Sequence, residues 1–177
     1  RLRARKMHST RGSCSSANEK QPKLIVFDLD FTLWPIFVDV HVTPPFKKDN
    51  GEITDRHGRK VSPYPGVPAM LEKLKSQKFQ MGLASRTDDP DAAKELIAAL
   101  DWNKYFPYQE IYPGRKVTHF KKFAQRTGFS YKNMLFFDDE MRNITDVSKL
   151  GVICVHVKDG MSQEVLDEGL RRFENET

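Results

Sequence analysis

Asp28 and Asp30 stand two residues apart at the end of the apolar run in KLIVFDLDFTLWP (residues 23–35), with Thr32, Trp34 and Pro35 behind them. Carboxylates at that spacing repel each other, so their pairing implies a cation close by or a task in proton transfer. Three more polar clusters follow apolar runs: Ser85, Arg86 and Thr87; then Arg115 and Lys116; then Asp138, Asp139 and Glu140. Carboxylate oxygens gathered from two such positions suit a hard cation. Mg²⁺ takes one or two carboxylates and keeps positions for phosphate and water. A lysine and a hydroxyl facing them would bind the remaining oxygens of a phosphoryl group.

For these clusters to meet, the segments that carry them must end at one edge. Short apolar runs alternate with helical patterns from residue 24 onward, the sign of βαβ units and a parallel sheet. Candidate strands are Leu24–Phe27, Gln80–Ala84, Glu110–Tyr112, Met134–Phe137 and Val152–Val157. Val67, Met70, Leu71 and Leu74 fall at helical offsets and make one apolar face. Asp89 suits an N-cap and Pro90 the first helical position of the next pattern. Further helices are expected over 117–126 with Gly128 as a stop, over 144–150 before Gly151, and over 162–174. In such sheets the reactive groups collect at the carboxyl ends of the strands, which is where all four clusters lie.

Residues 36–65 break the rhythm: Pro44, Pro45, Pro63 and Pro65 exclude a long helix, FVDVHV alternates, and Asn50-Gly51 offers a hairpin turn. An extended flap or hairpin inserted after the first strand is expected there. Residues 1–23 carry Arg1, Arg3, Arg5, Lys6, Arg11, Lys20 and Lys23 against Glu19, leaving 22 basic and 23 acidic side chains for the other 154 residues. The excess positive charge therefore belongs to this tail, which is expected to be disordered, and no folded basic face for nucleic acid is indicated. Its Arg- and Ser-rich composition also suits an organelle-targeting segment, and Met7 is a candidate start. No apolar run approaches the roughly 20 residues of a membrane helix. Two cysteines, Cys14 in the tail and Cys154 in GVICVHV, build neither a disulfide framework nor a zinc site. Cys154 reads as a small buried hydrophobe, and a reducing, cytoplasmic home is expected. His41, His57, His119 and His156 have no motif partner and carry no assigned role.

DLDFT, ASRT, the isolated Lys116 and FFDDE occur in the order of the four motifs of the haloacid-dehalogenase-like superfamily. More narrowly, FDLDFTLWP, YPGRKVTHF and FFDDE resemble the magnesium-dependent phosphatase family, whose members are small and nearly capless. The resemblance spans about residues 24–175. It implies a three-layer, Rossmann-like parallel sheet of five strands in the order 5-4-1-2-3, helices on both faces, and one phosphatase domain over 24–177. It further implies that Asp28 is the nucleophile of an aspartyl-phosphate mechanism and Asp30 the general acid and base. Mg²⁺ would be held by Asp28, the backbone carbonyl of Asp30 and a late aspartate, Asp139 first and Asp138 second. Ser85, Arg86, Lys116 and the backbone N–H of Leu29 would bind the phosphate. Thr32 would support the loop, while Trp34, open between packing and recognition, would border the entrance with the flap from Phe37 to Phe46.

The missing large cap suits phosphate displayed on a protein, and the family is associated with phosphotyrosine and with sugar phosphates attached to amines. A monomer is expected. The alternative from another class is a phosphoaspartate receiver domain without turnover, which also joins an aspartate pair, a hydroxyl and a lysine on a parallel sheet. Receivers place the acidic pair early, however, and here FFDDE comes late.

Overall fold

The computed structural model describes residues 21–177, so the expectations for residues 1–20, Met7 and Cys14 included, fall outside it. Five parallel strands form the main sheet: β1 (Leu24–Phe27), β5 (Met81–Ser85), β6 (Tyr108–Ile111), β7 (Met134–Asp138) and β8 (Ile153–His156). They lie side by side in the order β6-β5-β1-β7-β8, which is the expected 5-4-1-2-3 arrangement read from the other edge. The first strand in the chain is thus central, paired with β5 from Ile25 to Phe27 and with β7 from Leu24 to Phe27.

Strands covered on both faces should read as continuous apolar runs, and alternate residues of β1 and β7 feed two separate cores. Ile25, Phe27, Leu135 and Phe137 pack with α1 (Val67–Ser76), α2 (Pro90–Ala99) and α5 (Gln163–Glu176). Leu24, Val26, Met134 and Phe136 pack on the opposite face with α3 (Lys116–Thr127) and α4 (Met141–Ser148). Three layers result. The close approach of α5 is made possible by Gly169, where a Cβ would lie 2.4 Å from the ring of the buried Phe137. Asp89 caps α2 by accepting from Ala92 N at 2.9 Å, with Pro90 first in the helix, as its sequence required.

Several boundaries differ from the sequence reading by one to three residues. Strand β6 begins two residues early and includes half-exposed Tyr108 and Gln109, which an edge strand tolerates. Helix α4 begins at Met141, three residues ahead of the apolar pattern, because its first turn faces the polar cluster and not the core. Ser85 and Asp138 are the last residues of their strands and not the first of the loops.

The insert after β1 is a small antiparallel sheet of β2 (Lys47–Asp49), β3 (Glu52–Thr54) and β4 (Lys60–Val61). Asp49 pairs with Glu52 across Asn50-Gly51, whose φ values of 47° and 84° make the two-residue turn that matches strand twist. Ile36, Val38, Val42, Ile53 and Val61 tie the insert into the core beneath α1 and α2, leaving its outer strand exposed.

Candidate active site

All four polar clusters converge on one end of the sheet. Asp28 follows β1, Ser85 closes β5, Lys116 opens α3 after β6, and Asp138 closes β7. Asp28, Ser85 and Lys116 line a cavity of about 260 Å³ together with Asp30, Arg86, Asp139 and Asn143, whereas the fully buried Asp138 is not part of its lining. Asp28, Asp30, Ser85, Arg86, Lys116 and Asp139 of the expected set therefore come together.

At its floor the Lys116 ammonium is bonded to Asp28 Oδ1 and, at 2.5 Å, to Asp138 Oδ2, and it lies 5.4 Å from the ring centroid of Phe136. Its side chain is 1 % exposed. Burial opposes the charge, but Asp28 and then Asp138 overcome it and hold the lysine above its ordinary range. Asp28, Asp138 and Asp139 each offer an oxygen within 4.8 Å of the others. Three carboxylates against one ammonium leave two negative charges in excess. Burial first, then Asp138 and Asp139, push the Asp28 carboxyl well above its ordinary range, with Lys116 opposing. Asp139 is pushed up to about 6 by burial and by Asp138 and Glu140. Hard oxygen donors with a surplus charge of two are the set a divalent cation such as Mg²⁺ fits.

The two late aspartates differ. Asp138 is wholly buried and saturated: Oδ1 accepts from Glu140 N at 2.7 Å, and Asn143 Nδ2 donates to both oxygens at 3.1 and 3.3 Å. Asp139 is half-buried; its backbone carbonyl lies 2.8 Å from His156 Nε2, which ties this turn to the end of β8.

Asp30 stands apart from the cluster. Its Oδ1 accepts from Trp34 Nε1 at 2.7 Å and from Val38 N at 3.1 Å, and burial raises its pKa to about 6. Trp34, left open by the sequence, is decided by the structure in favour of packing. It is completely buried, stacked 6.1 Å from Trp102, and so is absent from the cavity lining. Its indole N–H is satisfied by Asp30, which is what allows a tryptophan to sit there. Phe37 and Asp39 of the flap do line the mouth, as expected, while Phe46 does not. Thr32, also buried, places Oγ1 3.4 Å from Asp28 Oδ2, and its carbonyl accepts from Met161 N at 2.9 Å. The carbonyl of Leu29 accepts from the N–H groups of Thr32, Leu33 and Trp34, folding this loop tightly.

On the other wall Arg86 donates from Nη1 to Asn143 Oδ1 at 3.1 Å, and its Nε is buried with no protein partner among the described residues. An orphaned guanidinium N–H in a polar cavity calls for an anion. Asn143 and His119 escaped the sequence reading. Asn143 lies in the first turn of α4, five residues after the Asp138 carboxylate it bonds, and that signal depended on starting α4 at Met141.

The sequence pattern of the Acid Phosphatase family matches residues 20–176. The chain belongs to this family. It is 50 % identical over 153 residues to the human protein named magnesium-dependent phosphatase 1, covering 86 % of this chain and 87 % of that one. A HAD-like hydrolase superfamily protein of Schizosaccharomyces pombe is 40 % identical over 147 residues, covering 76 % and 85 %. A HAD-superfamily hydrolase structure from Ehrlichia chaffeensis shares the fold, with a TM-score of 0.60 and 12 % identity over 88 % of this chain and 95 % of the other. The haloacid-dehalogenase-like resemblance read from the four motifs thus holds. The receiver alternative is overturned by this membership.

Proposed function

We propose that this phosphatase hydrolyses phosphomonoesters through a transient aspartyl-phosphate on Asp28. Its membership of the family and its identity with the human magnesium-dependent phosphatase make it a magnesium-dependent phosphatase. The observation that carries the finer reading is the pairing of an ion-paired, buried aspartate with a second aspartate two residues on that titrates near neutrality.

Asp28, Asp139 and the carbonyl of Asp30 would hold Mg²⁺, with Asp138, already saturated by Lys116 and Asn143, in the second place. The ion supplies charge neutralisation for a phosphate dianion approaching a carboxylate. An oxygen of Asp28 attacks phosphorus as the bond to the leaving oxygen breaks, and Asp30 gives that oxygen its proton. Water then attacks the same phosphorus, Asp30 takes the proton, and the bond to Asp28 breaks to release phosphate. A carboxyl with its pKa near 6 is suited to both proton transfers. Lys116, Ser85, Arg86 and the N–H of Leu29 bind the non-bridging oxygens, and the unpartnered Arg86 Nε is a ready donor for them.

Phosphate on a protein, as a tyrosyl ester or a protein-linked sugar phosphate, is the substrate class this mouth supports. Among the described residues no domain covers it, and the exposed large apolar residues Phe37, Val40 and Met141 all line the cavity or neighbour a lining residue. A cytoplasmic location accords with the free, buried Cys154.

The test is hydrolysis of an aryl phosphate with and without Mg²⁺ by wild type and Asp28→Asn, followed by phosphotyrosyl peptides and phosphorylated glycated peptides in parallel. Full activity in chelator or undiminished turnover by the variant refutes the mechanism. Equal kcat/KM for peptides and the bare aryl ester removes the protein-substrate reading.

A further inference from the structure

Behind the phosphate-binding wall lies a buried histidine that none of the chemistry above uses. His119 is completely buried, one turn after Lys116 on α3. Its Nε2 lies 2.9 Å from the carbonyl of Ser85 and 3.0 Å from that of Tyr112, while Nδ1 is 3.3 Å from the carbonyl of Arg115. The ring stacks on that of Tyr112, centroids 4.2 Å apart and planes at 21°. One side chain therefore touches the end of β5, the residue after β6 and the start of its own helix.

We propose that His119 is a positioning residue for the reaction: its Nε2–H, shared between the carbonyls of Ser85 and Tyr112, fixes where the Ser85 hydroxyl stands relative to Lys116. Burial, with the Lys116 charge adding to it, lowers the histidine pKa, so the ring is neutral near pH 7 and carries one proton. Two carbonyls at the Nε2 side against one longer contact at Nδ1 decide which nitrogen holds it. The backbone bond from Tyr112 N to Ser85 O, 3.1 Å, ties the same two strand ends, but among the described residues His119 is the side chain that links Ser85 O to α3. Ser85 Oγ accepts from Thr87 N at 3.3 Å, which leaves its O–H available to donate into the cavity it lines. Loss of the histidine donor would let the β5 end drift from α3, and a displacement of about 1 Å in a binding group costs on the order of 100-fold in rate.

The proposal rests on the phosphatase reading and is tested beside it. His119→Gln keeps an amide N–H at the ε position, whereas His119→Asn ends one atom short. With Mg²⁺ and an aryl phosphate, His119→Asn is expected to lose about 10- to 100-fold in kcat/KM and His119→Gln to keep at least about half of the wild-type value. In a Ser85→Ala background the loss from His119→Asn should shrink to under about threefold, because the group it positions is gone. Equal losses in both backgrounds, or a Gln variant no better than the Asn variant, overturn it. Should His119→Asn not fold, His119→Gln decides alone: half activity supports the role, and a fall to the level of Ser85→Ala refutes it. Asp28→Asn in the same assay reads the reaction itself. An inactive Asp28→Asn with a fully active His119→Asn overturns only the positioning role.

Discussion

Replacing Lys116 with methionine keeps a flexible apolar stem under Phe136 and deletes the ammonium, its charge and its N–H donors together. The ammonium it removes is 1 % exposed and serves two carboxylates that are themselves 10 % and 0 % exposed. Breaking a buried pair by removing one partner costs about 3–5 kcal/mol, because an uncompensated charge stays behind. At about 2–4 °C per kcal/mol for a domain of this size, the melting temperature in chelator should fall by roughly 6–20 °C. The surplus of negative charge also rises from two to three, so a divalent cation is held more tightly by the variant. A cation at 100 times its dissociation constant stabilises by about 2.7 kcal/mol, and the variant should reach that level at lower Mg²⁺ than wild type. Scanning both proteins in chelator and across a Mg²⁺ series measures this directly. Turnover should fall at least about 100-fold at every Mg²⁺ concentration, since the cation restores the charge but not the donor to the phosphoryl oxygen. A variant that melts within about 2 °C of wild type in chelator, or a Mg²⁺ response identical in the two, would refute the charge balance drawn for this site.

Trp34→Phe keeps an aromatic ring against Trp102 but removes the N–H that stabilises ionised Asp30. A hydrogen bond worth about 1 kcal/mol moves a pKa by under about one unit, so Asp30 should climb from about 6 and carry the alkaline limb of kcat/KM upward with it; an unmoved limb counts against Asp30 as the acid. Gly169→Ala should destabilise by about 1–3 kcal/mol in denaturant titrations, because its Cβ meets the Phe137 ring at 2.4 Å and overpacking outweighs the gain in helix propensity; a neutral or stabilising result would show that the ring can yield. Asp30 and Asp139 both have folded pKa values of about 6 against the usual 3.8, so the folded state binds more protons between those values. Stability in chelator should therefore fall as pH rises from about 4 to 6 and then level off, and saturating Mg²⁺ should flatten the Asp139 part of that slope; a rise in melting temperature over this window contradicts the shifts.

The chemistry was more legible than the scaffold around it. Asp28, Ser85 and Asp138 could be read because each ends an apolar run, and Lys116 because it opens the helix that follows one; a parallel sheet brings such positions together whatever its exact boundaries. The flap hairpin was legible at Asn50-Gly51, where only a two-residue turn accommodates two positive φ angles, but strand β4 was not, since Lys60 and Val61 carry no pattern of their own. Trp34 stayed open for a reason that sequence cannot resolve: a large aromatic after a catalytic loop suits an entrance or a core equally, and the choice was made by Trp102 and Asp30. Asn143 and His119 were missed because their partners are a carboxylate five residues away and backbone carbonyls of two other segments. Carbonyl acceptors exist at every residue and leave no trace in composition.

The two aspartates of the first loop now separate by environment. Asp28 looks onto Lys116, Asp138 and Asp139, while Asp30 has turned to an indole N–H and the Val38 amide and senses Asp39 before it senses Lys116. Two titratable groups pushed in different ways by their surroundings are the usual basis for dividing nucleophile from acid. The division is conditional on the cation, because part of the upward push on Asp28 comes from the same two carboxylates that complete the oxygen cluster. Neutralising those carboxylates removes that part of the push and, burial remaining, leaves Lys116 a stronger hold on the ionised, attacking form of Asp28. Chelation should accordingly abolish turnover by favouring the protonated nucleophile as well as by baring the phosphate, so substrates with a singly charged phosphoryl group should recover no activity in chelator.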